Sequence, residues 1–219
     1  MAGMDHAIVF GASGGIGAAL ADHLAISHDV TRISRREDGL DVTDETSVAY
    51  VVGRIDRPVD VVFVATGILA PEGHAPEKSL DAVEATAMAQ TFAVNAIGPA
   101  LLLRHIAPKL SQTARVGVLT ARVGSIGDNR IGGWYSYRAS KAAANQIVHG
   151  AAIEIGRKRK QAVVVALHPG TVETPFTKVY VAPKVAPSEA AENLVRVLSS
   201  LTPEQTGGFF DYAGHAIEW

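Results

Sequence analysis

Residues 6–26 read His6-Ala-Ile-Val-Phe10-Gly11-Ala-Ser13-Gly-Gly15-Ile16-Gly17-Ala-Ala-Leu-Ala-Asp-His-Leu-Ala-Ile26, and this stretch decides the fold. A short apolar run predicts a strand, it breaks at once into a glycine turn, and residues 18–26 follow with a helical pattern. Strand, glycine turn and helix in that order are the context that gives a glycine repeat meaning. Glycines let the backbone turn tightly and approach a pyrophosphate, whose charge then sits at the helix N-terminus. Gly11, Ser13, Gly15, Ile16 and Gly17 are therefore candidate cofactor contacts. Their spacing is Gly-x-x-x-Gly-x-Gly, not the Gly-x-Gly-x-x-Gly of the long-chain dinucleotide enzymes.

Working outward, residues 29–34 predict a second strand that ends in Ser34-Arg35-Arg36. An acid at such a strand end binds ribose hydroxyls, whereas Arg pairs with a 2'-phosphate. Arg35 and Arg36 thus favour NADP(H), with NAD(H) possible. Residues 40–44 predict a short strand and a cap, Thr43 or Asp44, for a helix over 45–54. Residues 59–64 predict a buried parallel strand that ends in Ala65-Thr66-Gly67, small enough for a cofactor to cross. After a loop over 68–79, a long helix is expected over 81–110, kinked or broken at Pro99 and Pro108 and carrying Asn95. Strands over 115–120 and 162–167 flank a helix running to about residue 159, whose basic last turn complements the helix dipole. A loop over 176–187, an amphipathic helix over 188–201 capped by Ser188, and a strand over 208–212 complete the chain. Alternating strands and helices make an α/β doubly wound parallel sheet, helices on both faces, the expected architecture. One domain over 1–219, with a short substrate loop near 175–187, accounts for every element.

The 219 residues suffice for a full core, and the Ala, Val and Gly content suits helices packed closely on a buried sheet. A net charge of -2 argues against nucleic acid or an anionic membrane as partner. The absence of Cys removes disulfides, thiolate catalysis and zinc-thiolate sites, and agrees with a cytoplasmic location. The eight His show no metal-ligand spacing, so no metal is expected. No apolar run approaches the roughly twenty residues of a membrane span.

The chemistry is expected at Trp134-Tyr-Ser-Tyr137-Arg-Ala-Ser-Lys141, where Tyr137 and Lys141 stand four residues apart on one helix face. A neighbouring ammonium stabilises a phenolate, so such a pair is a candidate proton donor and acceptor near neutrality.

With these elements in place the sequence resembles the short-chain dehydrogenase/reductase family over nearly its whole length. The matching features are Gly11-x-x-x-Gly15-x-Gly17, Asp41-Val42, Ala65-Thr66-Gly67, Asn95, Tyr137-x-x-x-Lys141 and Pro169-Gly170-x-Val172-x-Thr174. Residues 124–127 and 133–141 are most similar to the small carbonyl-reductase and C-factor-like branch. The resemblance implies a Rossmann-type fold and an NADPH-dependent reductase of aldehydes or ketones, reversible as an alcohol dehydrogenase. Tyr137 would be the general acid, Lys141 its electrostatic partner and a ribose contact, and Asn95 a member of a water relay to Lys141. Pro169, Gly170, Val172 and Thr174 would fix the carboxamide, and a homodimer or homotetramer is implied. The family's carbonyl-orienting Ser is missing where the strand ends Leu119-Thr120-Ala121, leaving Ser125 as first candidate and Thr120 as rival. A cofactor-binding signalling or scaffold protein with little turnover is the alternative function.

Overall fold

The computed structural model describes residues 4–178 and 183–219. Six strands form one parallel sheet: β1 (His6–Phe10), β2 (Asp29–Ile33), β3 (Val59–Val64), β4 (Leu110–Leu119), β5 (Val163–His168) and β6 (Phe209–Asp211), in the order β2-β1-β3-β4-β5-β6. Neighbouring residues point to opposite faces of a strand, so the apolar runs supply two cores at once. Ile8, Phe10, Val62, Val64, Val116 and Val164 join one cluster, while Ala7, Val9, Phe63, Val163, Val165 and Leu167 join the other.

Helices cover both faces, as parallel crossovers require. One layer holds α1 (Gly15–Leu24) and α7 (Pro187–Ser200), which pack on each other. The other holds α3 (Glu45–Gly53), α5 (Gly98–Ile106) and α6 (Tyr135–Lys158). Two shorter helices, α2 (Arg35–Asp38) and α4 (Ala85–Phe92), follow β2 and precede α5.

The expected long helix is a rod with a defect in its middle. Between α4 and α5, residues Ala93–Ile97 wind as a π-helix, in which the Gly98 amide reaches back five residues to the Ala93 carbonyl. Pro99 has no N–H to return to the Asn95 carbonyl, so the wider turn falls just ahead of it. The segment Ala85–Lys109 is also long and apolar enough, by length and composition, to cross a bilayer, contrary to the expectation from sequence. In the fold its Leu102, Leu103 and Ile106 are buried in the core beneath α3 and α6.

Two local expectations are corrected. Residues 40–44 form turns, not a strand, because their amides find other acceptors: Leu40 N donates to Ser34 O, Asp41 N to Ser47 Oγ and Thr43 N to Asp41 Oδ1. Asp44 does cap α3, accepting from Thr46 N at 2.9 Å. Ser188 is not the cap of α7; Ala186 holds that position without a side-chain bond, and Pro187 takes the first helical place, where its missing N–H is harmless. Residues 179–182 of the expected substrate loop lie outside the described residues.

Candidate active site

The chain leaves β1 for β2 on one side and returns to β3 on the other, so the carboxyl ends of β1 and β3 flank a crevice, the usual ligand position in such sheets. A cavity of about 420 Å³ opens there. The glycine turn forms one wall. Gly11, with φ +86°, donates to Ile33 O at 2.8 Å, and a Cβ on it would lie 2.9 Å from the Ala65 carbonyl. A Cβ on Gly17 would lie 2.2 Å from Gly11 O, which no side chain can tolerate. The first turn of α1 has no side-chain cap and no acid, so its amides and the positive end of its dipole, at the cavity edge, suit a negative charge. Ser13, Gly15, Ile16 and Gly17 all line the wall.

The opposite wall comes from Ala65, Thr66 and Gly67 after β3, and from Pro169, Gly170, Val172 and Thr174 after β5. Gly170 takes φ +80°, and Thr174 Cγ2 sits where a Cβ on Gly15 would come within 2.6 Å, so the two walls meet in contact. The buried Thr66 Oγ1 and Thr120 Oγ1 have no hydrogen-bond partner among the described residues. Such orphaned groups call for an explanation, and a polar ligand lying along this wall supplies one.

At the deep end, Tyr137 and Lys141 project from adjacent turns of α6. Tyr137 is buried, with Trp134 edge-on at 6.1 Å and Phe176 tilted at 5.9 Å between ring centroids. Lys141 Nζ lies 5.8 Å from the Tyr137 ring centroid and donates to Leu119 O at 3.1 Å. Burial pushes its pKa from 10.5 down to about 8, as expected when an ammonium is removed from water. Gly67 allows this packing, since a Cβ there would stand 3.3 Å from both Lys141 Nζ and Asn95 Oδ1.

Asn95 is fully buried and behaves as a clamp: Oδ1 accepts from Ile68 N at 2.8 Å, and Nδ2 donates to Ile68 O at 2.8 Å and Ser140 Oγ at 3.1 Å. It therefore ties the loop after β3 to α6. Asp41 and Val42 do not line the cavity. Thr43 bonds hold the Asp41 carboxylate below its usual pKa, and Val42 packs against Gly98. Arg35 and Arg36 are exposed on α2 beyond the strand whose Ile33 carbonyl holds the glycine turn.

Ser125 is displaced from its expected role. It is buried outside the cavity wall, and its Oγ accepts from Asp128 N at 3.0 Å, closing a turn after the short 3-10 helix Arg122–Gly124. Thr120 does line the cavity, held at the strand end by its amide bond to Leu167 O at 2.8 Å. Sequence reasoning also missed Trp134, Phe176, Arg122 and His168 on the wall. Burial, with Arg122 nearby and Asp211 opposing, pushes the His168 pKa from 6.5 to about 4, so its ring is neutral at pH 7. The sequence signal for Trp134 was its place after Gly132-Gly133, two glycines that leave room for a left-handed turn.

Comparison with known proteins places this geometry. The model of the short chain dehydrogenase family matches residues 38–184. A 1-hydroxy-2-glutathionyl-2-methyl-3-butene dehydrogenase from Rhodococcus sp. (strain AD45) is 33% identical over 188 residues, covering 84% of this chain and 80% of that protein. C-signal from Myxococcus xanthus is 38% identical over 173 residues, 78% of this chain and 99% of that protein. The fold is also that of an NADPH-bound carbonyl reductase from chicken fatty liver, with a TM-score of 0.82 at 22% identity and all of both chains covered. Glycine cradle, parallel sheet, Tyr-Lys pair and these matches agree: the chain belongs to the short-chain dehydrogenase family of NAD(P)-dependent oxidoreductases.

Proposed function

We propose that this protein is an NADPH-dependent carbonyl reductase, reversible as an alcohol dehydrogenase, acting on aldehydes or ketones. The observation that carries the reading is that Tyr137 and buried Lys141 share one cavity with the glycine cradle. The cradle's first-turn amides would hold the pyrophosphate and the exposed Arg35 and Arg36 a 2'-phosphate. Ala65, Thr66 and Gly67 would lie along the cofactor, and Pro169, Gly170, Val172 and Thr174 against its far end. When bound, NADPH supplies a hydride to the carbonyl carbon.

In this reading Tyr137 gives its proton to the substrate oxygen, and the ammonium of Lys141 offsets the charge left on the phenol. Thr120, with its unpartnered buried hydroxyl, orients the carbonyl. Asn95 acts by fixing the loop before Ser79 and α6 in register, a positioning role. The aromatic rings of Trp134 and Phe176 exclude water from the phenol. Assembly as a homodimer or homotetramer is part of the proposal, and sedimentation of the purified protein tests it.

The test is a panel of aldehydes and ketones followed by NADPH absorbance, with Tyr137→Phe beside the wild type. The variant should lose at least about 100-fold in kcat while binding NADPH with little change. Full activity in the variant would remove Tyr137 from the chemistry. A second reading, a cofactor-binding signalling or scaffold protein, is favoured by Ala121, which has no hydroxyl where the family places its Ser, and by the similarity to C-signal. Tight NADPH binding without turnover of any carbonyl would favour it.

A further inference from the structure

The first turn of α6 carries the proposed acid, yet its N-cap residue, Trp134, supplies no side-chain cap. The chain enters the helix through three successive left-handed residues, Gly132 at φ +69°, Gly133 at +65° and Trp134 at +51°. Trp134 is the one non-glycine residue with positive φ among those described, a conformation that persists only when surroundings hold it.

What holds it comes from the loop after β3. Glu77 is 7% exposed, and its carboxylate accepts from Ser136 N at 3.2 Å through Oε2 and from the Ser136 hydroxyl through Oε1. The Glu77 backbone carbonyl accepts from Trp134 N at 2.5 Å. Ser136 is the second helical residue and the direct neighbour of Tyr137. A buried carboxylate at that place satisfies an amide that would otherwise lack an acceptor and complements the positive end of the helix dipole. Among residues 68–79, Asn95 fastens the first through both its amide atoms, and Glu77 fastens the far part to α6.

We propose that Glu77 is a positioning residue for Tyr137: it caps the catalytic helix from across the fold and fixes the left-handed Trp134 that packs on the phenol. The effect on rate rests on the carbonyl-reductase reading above; the capping does not. A misplacement of about 1 Å in such a group lowers turnover by roughly 100-fold.

Glu77→Ala should lower kcat about 10- to 100-fold, with the NADPH Kd changed less than about threefold. Glu77→Gln should recover kcat to within about threefold, since one amide oxygen still accepts from Ser136 N and the serine hydroxyl can rotate to accept from the new NH2. Amide hydrogen exchange over residues 134–141 and 74–79 is the readout that needs no turnover. It should speed at least about tenfold in Glu77→Ala, near wild type in Glu77→Gln, whether or not any carbonyl is reduced. Unchanged exchange in Glu77→Ala overturns the capping, as does uniform loss of protection across the sheet in both variants. Faster exchange with wild-type kcat overturns the positioning role. A wild type with no turnover on any carbonyl refutes the proposed reaction instead, and leaves exchange to decide on the cap.

Discussion

Replacing Lys141 with Met should make the protein inactive and change how its stability depends on pH. The lysine is buried, and its pKa falls from 10.5 to about 8 on folding, chiefly through desolvation. At 1.36 kcal/mol per pH unit that difference is worth about 3 kcal/mol against the folded state wherever the lysine is charged in both states. Between pH 8 and 10.5 the unfolded chain holds a proton that the folded chain has released, so wild-type stability from this group rises with pH across that window and is flat below it. By pH 10 the gain over pH 7 should be about 2 to 3 kcal/mol. Methionine has no proton to lose and follows the unbranched path of the lysine stem. At pH 7 Lys141→Met escapes the full penalty but leaves Leu119 O without its 3.1 Å donor, which costs about 1–3 kcal/mol. The expected net is near zero to about 2 kcal/mol more stable than wild type. Urea unfolding of both proteins at pH 7, 8, 9 and 10 measures the difference, in which all other titrations cancel. A wild-type gain on the variant of about 2 to 3 kcal/mol between pH 7 and 10 supports the reasoning. A difference constant within about 0.5 kcal/mol over that range would refute it.

Other perturbations test the cavity walls. Thr120→Val should lower kcat about tenfold or more with little change in stability, whereas Ser125→Ala should leave kcat alone and lower stability by about 1 kcal/mol through its lost turn bond; steady-state kinetics and urea melts decide, and the reverse pattern restores Ser125 to the site. Gly17→Ala should abolish NADPH binding or folding, since its Cβ would stand 2.2 Å from a backbone oxygen; fluorescence titration of wild-type strength would contradict the cradle. Replacing Arg35 and Arg36 together by Ser should raise the KM for NADPH about tenfold or more and leave NADH unaffected, and equal changes for both cofactors would move the 2'-phosphate elsewhere.

The parts of this molecule legible in sequence were those set by local pattern. His6–Phe10 and Val59–Val64 are strands because short apolar runs between turn residues have no other way to bury both faces. The defect near Pro99 was legible because proline removes a donor whatever surrounds it. Residues 40–44 misled because Leu40 and Val42 are buried as a strand's would be, while side chains of Ser47 and Asp41 took the amides a sheet neighbour would have needed. Ser125 misled for a similar reason: a hydroxyl at plausible distance in sequence was already engaged in a turn. Glu77 was out of reach of any local reading, since its partner Ser136 lies 59 residues away. Phe176 reaches Tyr137 only once the sheet has set the end of β5 beside α6, whereas Trp134 meets the ring from three residues back at the start of that helix.

The wide turn over Ala93–Ile97 has a consequence for how this rod could change. One extra residue wound into a helix puts its two halves out of phase by about 100°. That offset lets Asn95 aim at the loop carrying Ile68 while Leu102, Leu103 and Ile106, further along the same rod, still meet the sheet. Deleting a single residue there would restore an ideal spiral and spoil both alignments together. Irregularity at this point is what allows one continuous element to serve two differently oriented neighbours.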